Sequence, residues 1–181
     1  SVYTDYDLDA SASVSTDGGI TLSAGYDIDG DSDRKVSLSY EGLTLSVGAV
    51  SEASDVAGLS DVGISGLGVD NVAEIANHGA HDVAIAYAFG DVSVAASANS
   101  ANNDYGIGVS GSFSGVSVAL GMAEFGGVNN TVAKLGYSSG GVSGAVIYQD
   151  NGTATSQGLE VSYTSGDLTL TAVYAESAGT N

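Results

Sequence analysis

The segment Tyr6-Asp7-Leu8-Asp9-Ala10-Ser11-Ala12-Ser13-Val14-Ser15 alternates without a break. Tyr6, Leu8, Ala10, Ala12 and Val14 share one face, and Asp7, Asp9, Ser11, Ser13 and Ser15 share the other. A period of two is the spacing of a β-strand, whose successive side chains point to opposite faces. The two faces have unusual contents. One is aliphatic with a tyrosine at its end, and the other holds only small or acidic polar groups. A strand of this kind has nothing on its polar side with which to fill a dry core.

The pattern repeats along the chain. Ile20, Leu22, Ala24, Tyr26 and Ile28 alternate with Thr21, Ser23, Gly25 and Asp27. Ten further segments lie at about 34–40, 43–50, 82–89, 92–99, 105–113, 116–124, 131–137, 142–148, 158–163 and 168–175. Little else reads as helix, and short regular strands in this order predict an all-β, antiparallel up-and-down meander. Every second connection is a tight turn built from Gly and Asp, such as Glu41-Gly42, Gly90-Asp91 and Ser114-Gly115. Gly and Asp tolerate the positive φ that hairpin turns demand. The other connections read as longer: 29–33, 51–81, 100–104, 125–130 and 149–157. In a meander, successive connections alternate between the two ends of the sheet. Tight turns therefore gather at one end and longer loops at the other, as in a transmembrane β-barrel.

The aromatic residues obey the same geometry. Tyr40, Phe89, Phe113, Tyr137 and Tyr163 stand on the apolar face at the tight-turn end of their strands. Tyr6, Tyr26, Tyr105, Tyr148 and Tyr174 stand on it at the long-loop end. The apolar face between them is aliphatic apart from Tyr87. Two aromatic girdles around an aliphatic band suit a bilayer, because a Tyr ring prefers the interface while its hydroxyl stays wet. The opposite face is mostly Ser, Thr, Gly, Ala, Asn and Asp, as in Gly106, Gly108, Ser110 and Ser112. Such a face suits a water-filled lumen, with the apolar face turned to lipid. A closed barrel satisfies all its backbone hydrogen bonds and so can cross a membrane.

Composition narrows the choice of function. The 181 residues include no Cys and no Pro, and carry a formal net charge of −19 with three basic residues. Nucleic acid is excluded as a partner, because neutralising phosphate needs a basic surface. Without Cys there are no disulfides or thiolate metal sites. The first residues lack the basic and apolar regions of a signal peptide, so a leader has been removed or the chain is a fragment. No apolar run approaches the length of a membrane helix.

The segment Ser54 to Glu74, with Ser60-Asp61-Val62-Gly63-Ile64-Ser65-Gly66-Leu67-Gly68-Val69-Asp70 at its centre, resembles the general porins of alphaproteobacteria, the Rhodobacter-type trimeric porins. The strands around Ala80-His81-Asp82 and Gly90-Asp91-Val92 are similar to that family as well. The resemblance implies an outer-membrane homotrimer whose lumen passes ions and small hydrophilic solutes. It also implies that residues 51–81 are the loop that folds into a single barrel domain, 1–181, and narrows its pore. Barrels of the family have sixteen strands, with this loop after the fifth; here it comes after the fourth. The count implies strands two to thirteen of sixteen, a complete twelve-stranded barrel being the alternative.

Within the loop, Glu52, Asp55, Asp61, Asp70 and Glu74 are the candidate constriction acids, and residues 67–76 read as a short amphipathic helix with Asp70 near its start. A fixed negative charge at a constriction favours cations. The resemblance implies basic residues on the wall opposite, for which the chain offers Arg34, Lys35 and Lys134. So few bases leave a lopsided field and an expected cation preference. Asp27, Asp29, Asp31 and Asp33 form a candidate calcium cluster. It is not an EF-hand, since the glycine and glutamate that motif needs are replaced by Ser32 and Leu38. His78, His81 and Asp82 lack a convincing fourth ligand for zinc. No nucleophile elbow or phosphate-binding glycine loop precedes a helix, so no enzyme is expected. Other readings of the composition are a secreted or surface adhesin or structural protein, and a barrel that serves only as membrane anchor or receptor. The first leaves the aromatic girdles unexplained, and the second fits poorly with a single long loop.

Overall fold

The computed structural model describes residues 9–27, 34–62, 70–75 and 81–178. Twelve strands form one sheet: β1 (Asp9–Ser15), β2 (Thr21–Asp27), β3 (Lys35–Tyr40), β4 (Leu43–Val50), β5 (His81–Phe89), β6 (Val92–Asn99), β7 (Asp104–Phe113), β8 (Val116–Phe125), β9 (Val128–Ser139), β10 (Val142–Asp150), β11 (Thr155–Ser165) and β12 (Leu168–Ser177). Their order in the sheet is their order in the chain, and β1 and β12 are its two edges. No helix among the described residues is long and apolar enough to cross a membrane.

The register places like residues in rows. Val14 faces Leu22, Leu22 faces Leu38, Leu38 faces Leu45, and Leu45 faces Ile85. Further round, Val118 faces Leu135, Leu135 faces Val146, and Val146 faces Leu159. Cross-strand neighbours of this kind are the unit of sheet stabilisation, and register is pinned because a one-residue slip would turn every side chain over. These rows are the exposed face: Leu45 is 43% exposed, Ile85 48%, Leu120 50% and Leu135 52%. The buried apolar residues instead come from the inner wall or from the loop that lies on it. The molecule is therefore apolar outside and polar or loop-covered inside, the reverse of a water-soluble sheet.

The girdle residues hold their places on the outer face. Tyr40, Phe89, Phe113, Tyr137 and Tyr163 are exposed at the tight-turn end, and Tyr26, Tyr148 and Tyr174 at the other. Tyr105 is half-buried, and Tyr6 lies outside the described residues. The Tyr174 hydroxyl donates to Glu176 Oε2 at 2.7 Å, so the ring lies among apolar neighbours while its oxygen is held in a polar rim.

Two expectations from the sequence need correcting. The connection expected at 125–130 is only Gly126–Gly127, and that at 149–157 is only 151–154. Gly126 and Gly127 take φ of 57° and 82°. Consecutive positive φ values make the tight hairpin turn whose twist matches that of the strands, so β8 and β9 extend to meet it. Loop asymmetry between the two ends thus rests mainly on the 51–80 connection. The second correction concerns the amphipathic helix. Its described part is a single 3-10 turn, Asp70–Val72, after which Ala73 and Ile75 pack down into the interior.

Candidate channel constriction

The loop's turn into the lumen begins in β4. Pairing with β5 shifts between Val47 and Val50, where a bulge adds one residue to β4. Gly48 sits in the bulge at φ 112°, and a Cβ there would fall 1.9 Å from the Arg34 carbonyl oxygen. That carbonyl accepts the Ala49 N–H at 2.7 Å. Bulges bend a strand and re-aim the chain beyond them. Beyond this one the chain is directed inward: Val50 is 4% exposed, Glu52 6% and Ser54 0%.

The loop then lies directly on the wall, and glycines make the room. A Cβ on Gly108 would sit 1.9 Å from the Ala53 carbonyl oxygen, and one on Gly121 would sit 2.2 Å from that of Ser54. Glycine within a strand often marks such a close backbone approach. Hydrogen bonds fasten the contact. Ala53 N–H donates to Ser97 Oγ at 2.7 Å, and the same hydroxyl meets His81 Nδ1 at 2.7 Å. Ser54 Oγ–H donates to Glu52 Oε1, while Glu52 Oε2 is buried with no partner among the described residues. Further along, Lys134 Nζ donates to the Gly58 carbonyl, and Ser60 N–H donates to Glu160 Oε2 at 2.6 Å.

Between these polar ties lies an apolar seat. Ala57, Leu59, Ala73 and Ile75 of the loop pack with Ala119, Ala123, Val132 and Ile147 of the wall. The lumen face is thus not uniformly small and polar. Where the loop rests, it carries the aliphatic groups needed to bury the loop's own, and burial of such groups contributes about 25 cal/mol per Å².

The candidate residues separate accordingly. Asp55 and Asp61 are exposed along the loop, Glu74 is half-buried and Glu52 is buried at the loop's root. A Cβ on Gly58 would lie 3.1 Å from Glu74 Oε2, which places that carboxylate back against the first limb of the loop. The Asp70 backbone is in the 3-10 turn. Of the three bases, Arg34 stacks its guanidinium over the outer-face Tyr26 ring, 5.3 Å from the centroid. Lys35 is exposed, at an inner-phase position of β3 between Gly25 and Gly48. Lys134 is on the wall as expected from its phase, but its ammonium is tied to the loop backbone. His81 is engaged by Ser97 and Asp82 by Ser100, while His78 lies outside the described residues. The calcium candidates Asp29, Asp31 and Asp33 also lie outside them, and Asp27 is described as the last residue of β2, paired with Asp9. Among the described residues, no three acidic, His or Cys side chains gather as a metal site.

Sequence reasoning missed Ser97 and Glu160, which look like any wall Ser or surface Glu until the loop is seen against them. A signal for the loop's track did exist: Gly106, Gly108 and Gly121 interrupt the inner face at positions where a serine would otherwise stand.

No protein-family model and no curated protein matches this chain. Solved structures do. One mutant of the Rhodopseudomonas blastica porin matches with a TM-score of 0.72 at 22% identity, over 93% of this chain and 73% of its own. A triple mutant of that porin matches with a TM-score of 0.68 at 19% identity, over the same shares. The fold of this chain is therefore a porin fold: an up-and-down antiparallel sheet, apolar outside, with a long loop turned inward.

Proposed function

We propose that this chain forms the wall and constriction of a water-filled channel in a bacterial outer membrane. The channel carries ions and small hydrophilic solutes by passive diffusion and performs no chemistry on them. The observation that carries this reading is the inverted arrangement: an exposed aliphatic band between aromatic girdles, with a loop bound to the opposite, small-residue face. An adhesin has no use for either feature. An anchor would not need a loop glycine-fitted and hydrogen-bonded into its interior.

The channel is cation-preferring and works as a homotrimer in lipid. Charge supports the first point. The chain's net charge is −19, and Arg34 is directed to an outer ring. Lys35 and Lys134, which keeps its charge while donating to a neutral loop carbonyl, are the two inner-face bases set against the loop acids, and a rim or constriction of carboxylates selects for cations. The trimer is supported only by the resemblance to the Rhodobacter-type porins.

The test is single-channel recording in a planar bilayer under a salt gradient. Stepwise conductance is expected, with a reversal potential of cation-selective sign. Asp55→Asn, Asp61→Asn and Glu74→Gln together should move that potential toward zero. A folded, inserted protein that passes no current would remove the channel reading, and an unmoved potential would remove the role of the loop acids.

A further inference from the structure

A cavity of about 600 Å³ opens on the outer face of β8 to β12, not on the lumen side. Its floor is the cross-strand row through Lys134, Ile147 and Gly158. Lys134 and Ile147 send their side chains inward, to the Gly58 carbonyl and to the apolar seat of the loop, so it is their backbone that meets the cavity. The walls are the outer rows on either side of that floor. Leu120, Ala133, Tyr148 and Gln157 are neighbours across β8 to β11 in one row. Leu135, Val146 and Leu159 are neighbours in the next. Ala133 opens the groove, because its methyl group stands between two large side chains.

The groove runs from the aliphatic band to the long-loop girdle, and there it ends in polar groups. Gln157 and Tyr174 line it, and both donate to Glu176, at Oε1 and Oε2 respectively. A carboxylate has about four lone-pair sites, so Glu176 keeps its charge and further acceptor capacity when it accepts from two neutral donors. Glu124 and Asp150 carry the same sign on the outer phase of β8 and β10 at this end. Among the described residues no base stands beside them. Arg34 lies over Tyr26 of β2, and Lys35 and Lys134 are on the inner face. A ligand that matches this groove therefore joins a hydrocarbon chain to a cationic donor. The mouth of the groove lies at the level of the Tyr girdle, where lipid head groups begin. A second copy of the chain suits it less. Its outer-face base among the described residues, Arg34, is already stacked, and a sheet wall is too broad to enter a groove between two rows of side chains.

We propose that this groove binds a membrane lipid with a primary-amine head group. One acyl chain lies against Ala133 between Leu120, Leu135 and Tyr148, and the ammonium group donates to Glu176. A primary ammonium carries three N–H donors, and its hydrogen bond to a carboxylate is of the strong, charge-assisted kind. An anionic head group would meet its own sign at Glu124, Asp150 and Glu176. The site rests on the membrane placement proposed above, which turns the outer face to lipid, and not on what passes through the lumen.

The experiment is native mass spectrometry of the full chain folded in detergent, titrated with three lipids of identical acyl chains. Phosphatidylethanolamine presents a primary ammonium, phosphatidylcholine a quaternary one without N–H donors, and phosphatidylglycerol an anion. Phosphatidylethanolamine should be retained about tenfold more tightly than either of the others, the worth of one charge-assisted hydrogen bond. Glu176→Gln, which keeps the shape and the Tyr174 contact, should remove that preference while leaving the weaker binding common to all three. Ala133→Trp should fill the groove and weaken all three, and Ala133→Leu serves if the larger residue prevents folding. Equal retention of the three lipids, or a preference that survives Glu176→Gln, would overturn the site. An Ala133 variant that loses self-association instead of lipid would assign the groove to a second copy and overturn it too. Bilayer recordings on the same preparation separate the two claims. Selective lipid binding without conductance keeps the groove and removes the channel, whereas conductance with equal retention of the lipids does the reverse.

Discussion

Gly108 and Lys134 define how the loop is held. At Gly108 the Ala53 carbonyl stands where a Cβ would be, 1.9 Å away, and backbone cannot yield as a flexible side chain can. Overpacking of this kind costs about 1–3 kcal/mol. The strain falls on the loop, because β7 is held by pairing to both neighbours. Lys134, half-buried, ties the other end of the same limb through the Gly58 carbonyl. A hydrogen bond from a charged donor contributes about 1.5–3 kcal/mol, and partial exposure reduces this toward the lower end. Gly108→Ala and Lys134→Met are both expected to free the 53–61 limb while leaving the sheet intact. The check is limited proteolysis with a Glu/Asp-specific enzyme on folded protein. Cleavage at Asp55 or Asp61 should accelerate several-fold in each variant with the thermal denaturation midpoint almost unmoved; an unchanged rate would mean that the apolar seat and the hydrogen bonds to Ser97 and Glu160 fix the loop without these two contacts.

Among the elements, the hairpins are alike in sequence but not in their tolerance. Gly42 and Gly90 both sit at positive φ, 84° and 57°. At Gly42 an added Cβ would lie 2.3 Å from the Ala88 carbonyl of the next hairpin, whereas at Gly90 nothing lies within 4 Å. Left-handed backbone costs an L-residue roughly 1–2 kcal/mol by itself. Gly90→Ala should therefore lose about that much in urea-induced unfolding from lipid vesicles. Gly42→Ala should lose clearly more, since the Ala88 N–H bond to the Gly42 carbonyl at 2.9 Å would also be strained. Equal losses would show that turn conformation alone matters and that the contact between neighbouring turns does not. The twelve strands themselves were legible from alternation, and most of their boundaries fell within about two or three residues of those in the structure. The turn at Gly126–Gly127 was not, because the same two glycines suit a loose loop and a tight turn equally well until the flanking strands are seen to pair.

For the whole molecule, the decisive property is which face meets which medium. Leu120 is half exposed in the middle of the outer band, and Phe89 marks the girdle at its edge. An arginine at the bilayer midplane of a barrel costs about 2–4 kcal/mol, falling to about 0–1 near the interface. Leu120→Arg should lower the folded fraction in vesicles far more than Phe89→Arg. Ser46→Arg, on the inner face of β4, should scarcely change it, since a lumen is wet. A water-soluble sheet with its core on the Leu120 side would instead make all mid-strand outer positions equally intolerant, and the protein would fold without lipid.

Alternation, the aromatic girdles, the absence of Cys and the scarcity of basic charge were all local or additive properties, and they determined the fold class and the inside-out polarity from the chain alone. They could do so because a strand's side-chain direction is set by its period of two, whatever its neighbours are. The path of the loop was different. Which loop group Lys134 binds, whether Glu52 lines the passage or lies buried at its root, and which wall residues meet Leu59 and Ile75 all depend on contacts between segments up to 100 residues apart. Such pairings are set by the bulge at Gly48 and by the gaps left at Gly108 and Gly121, and only the tertiary structure brings those together.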